Sequence, residues 1–245
     1  MVPPTPPPRT PISQSDQLPR KYVICKSPRS GSTFLFTALS KTATINNAWE
    51  NKVKAMRNLR DCSSKYESCG VSLNDCLNRA DDTKRLFDSM RANNAALIIQ
   101  LRLDVIAKAI SGMKLFSPRE KRTGERVISI ARGAINTIVG RLVAARQNPD
   151  LRPMIVWYED ILVDPALCHE TLRRTCTEIG AQCSRETFEM CVNLRERKVV
   201  DPALARDIEA LDPELWTLSN DRRMMLEYVE RLASEKDEMF FGLWK

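Results

Sequence analysis

Tyr22-Val-Ile-Cys-Lys-Ser-Pro-Arg-Ser-Gly-Ser-Thr-Phe-Leu-Phe-Thr-Ala-Leu39 decides how the rest of this chain is arranged. It opens on an apolar run, residues 22–25, of the length of a buried strand. A small polar loop follows over residues 27–33, and residues 34–39 read as a helix start. Strand, tight loop and helix together make an anion-binding geometry. The first amides of a helix have no partner inside it, and the helix dipole is positive there. Gly31 lets backbone approach a ligand closely. The hydroxyls of Ser30, Ser32 and Thr33 add donors, and Arg29 adds a fixed charge with a fork of donors. The plainer alternative is a strand-to-helix turn capped by Ser and Thr.

Outward from that unit, the composition narrows the class. The chain has 245 residues, 43% of them hydrophobic, enough for one domain with a real core. Only eight glycines and four tyrosines argue against a turn-rich all-β sandwich. The net charge of +7 favours an anionic partner. That charge is spread along the chain without interleaved aromatics, so no nucleic-acid partner is expected. Residues 1–20 hold Pro3, Pro4, Pro6, Pro7, Pro8, Pro11 and Pro19 and read as a flexible leader, with one domain over residues 21–245. The leader lacks the apolar core of a secretory signal. No window reaches about 18 apolar residues, so no membrane span is expected.

The chain contains eight cysteines. Cys62, Cys69 and Cys76 fall at intervals of seven, and Cys168, Cys176, Cys183 and Cys191 at seven or eight. On a helix that spacing shares one face, which predicts buried reduced thiols and a cytoplasmic protein. The alternative is disulfides tying helical hairpins, which places the chain in the Golgi or another secretory lumen. With no Cys-x-x-Cys pair and His169 the sole histidine, no metal site is expected.

Along the chain, residues 41–45 read as a short strand or turn, 51–61 as a basic helix, and 62–70 as a polar loop. Apolar periodicity predicts a helix over 73–93. Residues 95–101 are a continuous apolar run, a second buried strand. A helix follows over 104–113, a loop over 114–124, and the longest helical pattern over 127–145. Residues 154–158 form a third strand. Asp164 before Pro165 starts a helix that runs to 179 with Gly180 as its stop. Ser184 starts another, to 194. Residues 195–220, with Pro202 and Pro213, read as irregular. Residues 221–236 are a last amphipathic helix, and 239–244 an apolar tail. Strands separated by helical patterns predict an α/β fold: a P-loop-like three-layer domain, its central parallel sheet flanked by helices. Ligands of such sheets bind beyond the carboxyl ends of the strands. All three strands end there in polar residues: 27–33, Arg102, and Tyr158 with Glu159 and Asp160.

A triphosphate-binding loop needs G-x-x-x-x-G-K-S/T. Here the first glycine is absent and Ser32 stands at the lysine position, so the clamp on the β- and γ-phosphates is missing. A nucleotide kinase, with Glu159 and Asp160 imitating a metal-binding pair, is therefore the disfavoured alternative. Residues 28–33, Pro-Arg-Ser-Gly-Ser-Thr, resemble instead the 5′-phosphosulfate loop of sulfotransferases that use 3′-phosphoadenosine 5′-phosphosulfate (PAPS). The Arg form is that of the carbohydrate and bacterial trehalose-type members. Residues 101–111, Leu-Arg-Leu-Asp-Val-Ile-Ala-Lys-Ala-Ile-Ser, resemble that family's 3′-phosphate segment, with Arg102 and Ser111 in the binding places. Tyr158-Glu-Asp-Ile-Leu-Val-Asp-Pro165 is similar to the YEDL-x-x-DP stretch of the same group. The three matches fall in family order and cover residues 21–180.

The resemblance implies sulfuryl transfer from PAPS to a hydroxyl of a carbohydrate or glycolipid, leaving 3′-phosphoadenosine 5′-phosphate (3′,5′-ADP); no catalytic metal is expected, since the leaving phosphate is already a good one. It implies donor binding by Lys26, Ser30, Gly31, Ser32, Thr33, Arg102, Ser111 and Tyr158, and charge stabilisation by Arg29. The general base falls on Glu50, about twenty residues past Arg29, with Asp104 and Glu159 in reserve. Asn47-Ala-Trp-Glu50 departs from the family's Pro- and Phe-rich stretch, which leaves the acceptor open. His169 is expected on a helix surface, away from the chemistry. Arg195-Glu-Arg-Lys198 lacks the glycine of the late basic stretch of cytosolic members and reads as a solvated charge run. A homodimer is one compatible assembly. A nucleotide-binding protein that kept the loop and lost the chemistry is the reading from a different class.

Overall fold

In the computed structural model, strand β1 (Arg20–Lys26) has a parallel neighbour on each side. The structure describes residues 20–26, 32–49, 52–61, 68–74, 76, 80–116, 123–162, 164–192 and 200–242. Tyr22, Val23, Ile24 and Cys25 are all buried, as a strand covered on both faces requires. On one side β1 pairs with β3 (Ser68–Asn74), which pairs with β2 (Thr44–Trp49) at the edge. On the other it pairs with β4 (Ala95–Leu101), which pairs with β5 (Met154–Trp157). The five-stranded, all-parallel sheet therefore has the order β2-β3-β1-β4-β5.

Side-chain alternation sorts the core into two layers. Val23, Cys25, Val71, Leu73, Leu97 and Ile99 face one cluster. It is filled by α2 (Lys52–Arg60), α3 (Ala80–Ala92), α4 (Val105–Phe116), α5 (Gly124–Arg146) and the C-terminal helices α9 (Pro202–Leu211), α10 (Pro213–Asn220) and α11 (Arg222–Gly242). Tyr22, Ile24, Ala96, Ile98 and Val156 face the other. That face is covered by α1 (Ser32–Leu39), α6 (Tyr158–Leu162), α7 (Pro165–Glu178) and the segment around α8 (Arg185–Glu189). The connection through α1 moves one way across the sheet on its face. The connections through α2, α3 and α4–α5 move the other way on the opposite face. All of them therefore share one hand, as parallel crossovers do. Because α1 leaves over one face while the helices after β3 and β4 leave over the other, the carboxyl end of β1 is the switch point where such sheets open a crevice.

The expected strands at 95–101 and 154–158 and the helix from Pro165 are present, the last with Asp164 accepting from Ala166 N at 2.8 Å and Leu167 N at 3.2 Å. Other expectations are corrected. The loop over 62–70 and the start of the helix over 73–93 hide β3, a fully enclosed strand, and α3 begins only at Ala80. Ser68, Gly70 and Ser72 disguise β3. A Cβ on Gly70 would lie 2.2 Å from the Tyr22 ring, so the ring occupies the space that a side chain would take. Residues 195–220 contain α9 and α10. Pro202 and Pro213 stand at the first helical positions, where no intrahelical N–H is required, behind the caps Asp201 and Asp212. The helix from Ser184 stops at Glu189, and α11 runs past 236 to Gly242.

α5 is long and apolar enough to cross a membrane by length and composition. Here its stripe Val127, Ala131, Ala134, Ile138 and Leu142 is core, and Arg132 pairs with Asp212 at 2.8 Å.

The reduced-thiol expectation is also corrected, and with it the ground for a cytoplasmic location. Cys25–Cys76, Cys168–Cys191 and Cys176–Cys183 are disulfide-bonded, with Cα separations of 5.6, 5.8 and 5.6 Å. No described cysteine is free. Seven-residue spacing shares a face only while one helix continues. α7 ends at Glu178, Gly180 takes a φ of 71°, and the returning chain brings Cys183 back to Cys176.

Candidate functional site at the carboxyl edge of the sheet

β1 ends at Lys26, which is 6% exposed, and its ammonium lies 6.0 Å from the Phe36 ring centroid on α1. Burial lowers the Lys26 pKa below the usual lysine value. Ser32 opens α1, and Thr33 beside it is exposed. Arg29, Ser30, Gly31 and Glu50 lie outside the described residues, as does the run 195–198.

β4 ends one residue before Arg102. Its guanidinium stacks 4.2 Å above the Tyr158 ring centroid, and one nitrogen lies 3.8 Å from Asp104. Arg102 is 8% exposed, so this cation is held largely out of water. The register Leu101↔Trp157 explains the stack: residues just past the ends of neighbouring strands meet at the same edge. Lys26, Arg102 and Tyr158 thus lie at the same end of neighbouring strands. Ser111 sits half-buried in α4, about 9 Å of helix rise beyond Val105.

The two reserve acids have other work. Asp104 caps α4, accepting from Ala107 N at 3.0 Å and from the Ser219 hydroxyl at 3.2 Å. That hydroxyl in turn accepts from Ile106 N at 3.1 Å. The start of α4 is therefore closed by α10. Glu159 accepts from Leu103 N at 3.1 Å and Asp104 N at 3.0 Å, and so binds the turn that carries Arg102 to the end of β5. Asp160 is paired with Arg222 at the start of α11. The turn between α10 and α11 is thereby pinned to the ends of β4 and β5. Sequence reasoning missed this contribution because Ser219 and Arg222 lie more than 110 and 60 residues from their partners. His169 is exposed on α7, as expected, and stacks on Phe188 at 5.2 Å.

Burial raises the Glu159 carboxyl above the ordinary glutamate range, outweighing the pull of the two amides. A raised acid keeps its proton in the folded protein after the unfolded chain has lost it. Stability from this group is therefore full at low pH and falls as pH rises through the raised value. Glu159→Gln keeps an acceptor oxygen for Leu103 and Asp104 but cannot ionise. Thermal melts from pH 4 to 8 should show the variant gaining on the wild type as pH rises. Parallel curves would mean that Glu159 is not held protonated.

Among the described residues no three His, Cys, Asp or Glu side chains converge as a metal site requires. The chain matches no protein-family model and no curated protein sequence.

Proposed function

We propose that this protein is a PAPS-dependent sulfotransferase acting on a hydroxyl of a carbohydrate or glycolipid. The observation that carries the proposal is buried Arg102 stacked on half-buried Tyr158, past the end of the strand that neighbours β1. It supplies a second, water-excluded cation one strand away from Lys26, which a 3′,5′-bisphosphate ligand needs and a simple triphosphate does not. A guanidinium fixed on a ring presents its donor fork in one orientation, which suits phosphate.

The residues present fit such a donor. Lys26 and the first amides of α1 would hold its 5′ end and Arg102 its 3′-phosphate. Arg29 would stabilise charge on the transferring group and on the leaving oxygen. Glu50 would take the acceptor's proton as its oxygen bonds to sulfur and the bond from sulfur to the 5′-phosphate oxygen breaks. The products are a sulfate ester and 3′,5′-ADP. The acids that a magnesium-dependent kinase would use at the end of β5 are already engaged, Glu159 with backbone amides and Asp160 with Arg222. The disulfides accord with residence in an oxidising compartment such as a secretory lumen.

Calorimetry or thermal shift tests the proposal directly. 3′,5′-ADP should stabilise the protein without magnesium, by about 2.7 kcal/mol at a hundred times its Kd, while ATP with magnesium should not. The reverse result would favour the kinase, and no response to either would remove both readings. Glu50→Gln should keep 3′,5′-ADP binding and lower turnover about a hundredfold; undiminished turnover would remove it as base.

A further inference from the structure

Gln100 is the one polar side chain in the strand Ala-Ala-Leu-Ile-Ile-Gln-Leu. It is 0% exposed, and neither its Nε2 nor its Oε1 has a hydrogen-bond partner among the described residues. Buried carboxamides are nearly always bonded, because an unpaired one forfeits the bonds it had with water. Packing alone does not ask for glutamine here, since Ile98 and Ala96 on the same face of β4 are apolar core.

The register places this orphan. Gln100 lies opposite Lys26 on one side and Val156 on the other, on the α1 face of the sheet. Two residues further along the chain, Arg102 stacks on Tyr158, itself two residues beyond Val156. Gln100 therefore stands between the two buried cations, at the last position of β4 on that face. Its head group carries both donors and an acceptor, and rotation of χ2 between staggered wells, with the broad χ3 following, can swing that head toward the edge.

We infer that the Gln100 carboxamide is a ligand-contacting residue. It hydrogen-bonds the ribose 5′-phosphate portion of a nucleoside 3′,5′-bisphosphate that runs from Lys26 to Arg102, Nε2 donating to a phosphate oxygen and Oε1 accepting from the ribose hydroxyl. This rests on the donor reading above.

Gln100→Met has the same length without the polar head. The melting temperature of the variant without nucleotide should hold or rise, because two orphaned polar atoms are gone. Its Kd for 3′,5′-ADP should rise about tenfold by calorimetry, and its Kd for pyrophosphate, which keeps the phosphate oxygen but has no ribose hydroxyl, by a smaller factor of about threefold. Wild-type affinity for 3′,5′-ADP in the variant overturns the inference and leaves the donor reading intact. Failure of the wild type itself to bind 3′,5′-ADP overturns both. The wild-type protein offers a readout that no variant can spoil by misfolding. The side-chain NH2 resonances of Gln100 should shift when 3′,5′-ADP is added, and resonances that stay in place overturn the inference.

Discussion

Arg102→Ala is expected to weaken 3′,5′-ADP binding by roughly 150-fold, about 3 kcal/mol. The size follows from burial. An exposed arginine would lose little, because water screens it and its side chain must be ordered to act. Arg102 is 8% exposed, stacked on Tyr158 and beside Asp104, so it is already desolvated and already oriented. Its removal strips a fixed donor fork from a ligand phosphate that stays in a poorly hydrated place. Arg102→Lys should recover only a small part of the loss, since an ammonium has neither the fork nor the flat face that lies on the ring. The variant should still fold. Asp104 keeps its bonds to Ala107 N and Ser219, and Glu159 keeps its hold on the turn. Titration calorimetry on the three proteins decides the matter, and equal affinities would remove Arg102 from the donor site.

Removing the Cys25–Cys76 disulfide by a double change to serine should cost about 4 kcal/mol, on the chain-entropy account of a loop this long. The two cysteines are 51 residues apart, and both are fully buried. Cys176–Cys183 spans only seven residues, so its removal should cost less, about 2.5 kcal/mol. The melting temperature of the first variant should fall by roughly 8–16 °C, at about 2–4 °C per kcal/mol for a chain of this size. The binding edge should suffer as well. Cys25 directly precedes Lys26, and the bridge ties this strand end to the segment after β3. 3′,5′-ADP affinity should therefore fall together with stability. Scanning calorimetry of the two double variants tests the order, and an unchanged melting temperature for the Cys25/Cys76 variant would show that the bridge does not form.

What could be read beforehand, and what could not, follows from where each signal resides. β4 and β5 were legible because a strand covered on both faces must be apolar at nearly every position, and 95–101 and 154–157 are. α7 was legible because Asp164 and Pro165 together satisfy the first turn of a helix. The same pairing at Asp201-Pro202 and Asp212-Pro213 passed as chain breaks, since the helices behind them lack a long apolar period to announce them. β3 was hidden by Gly70, whose reason is the Tyr22 ring on the neighbouring strand. Gln100 stood in plain view as one polar residue in an apolar strand. Its meaning needed the register that sets it beside Lys26.

The sequence by itself determined the α/β class, the place of β1 at the head of a strand–loop–helix unit, and the polar ends at Arg102 and Tyr158, because those depend on residue types within a few positions of one another. Only the tertiary structure decided which cysteines are bonded, that Glu159 and Asp104 hold the Arg102 turn, and that α10 and α11 reach back to the edge through Ser219 and Arg222. Those contacts join groups far apart in the chain. Their strength comes from burial and alignment, which exist only once the sheet has formed and its helices have closed over both faces.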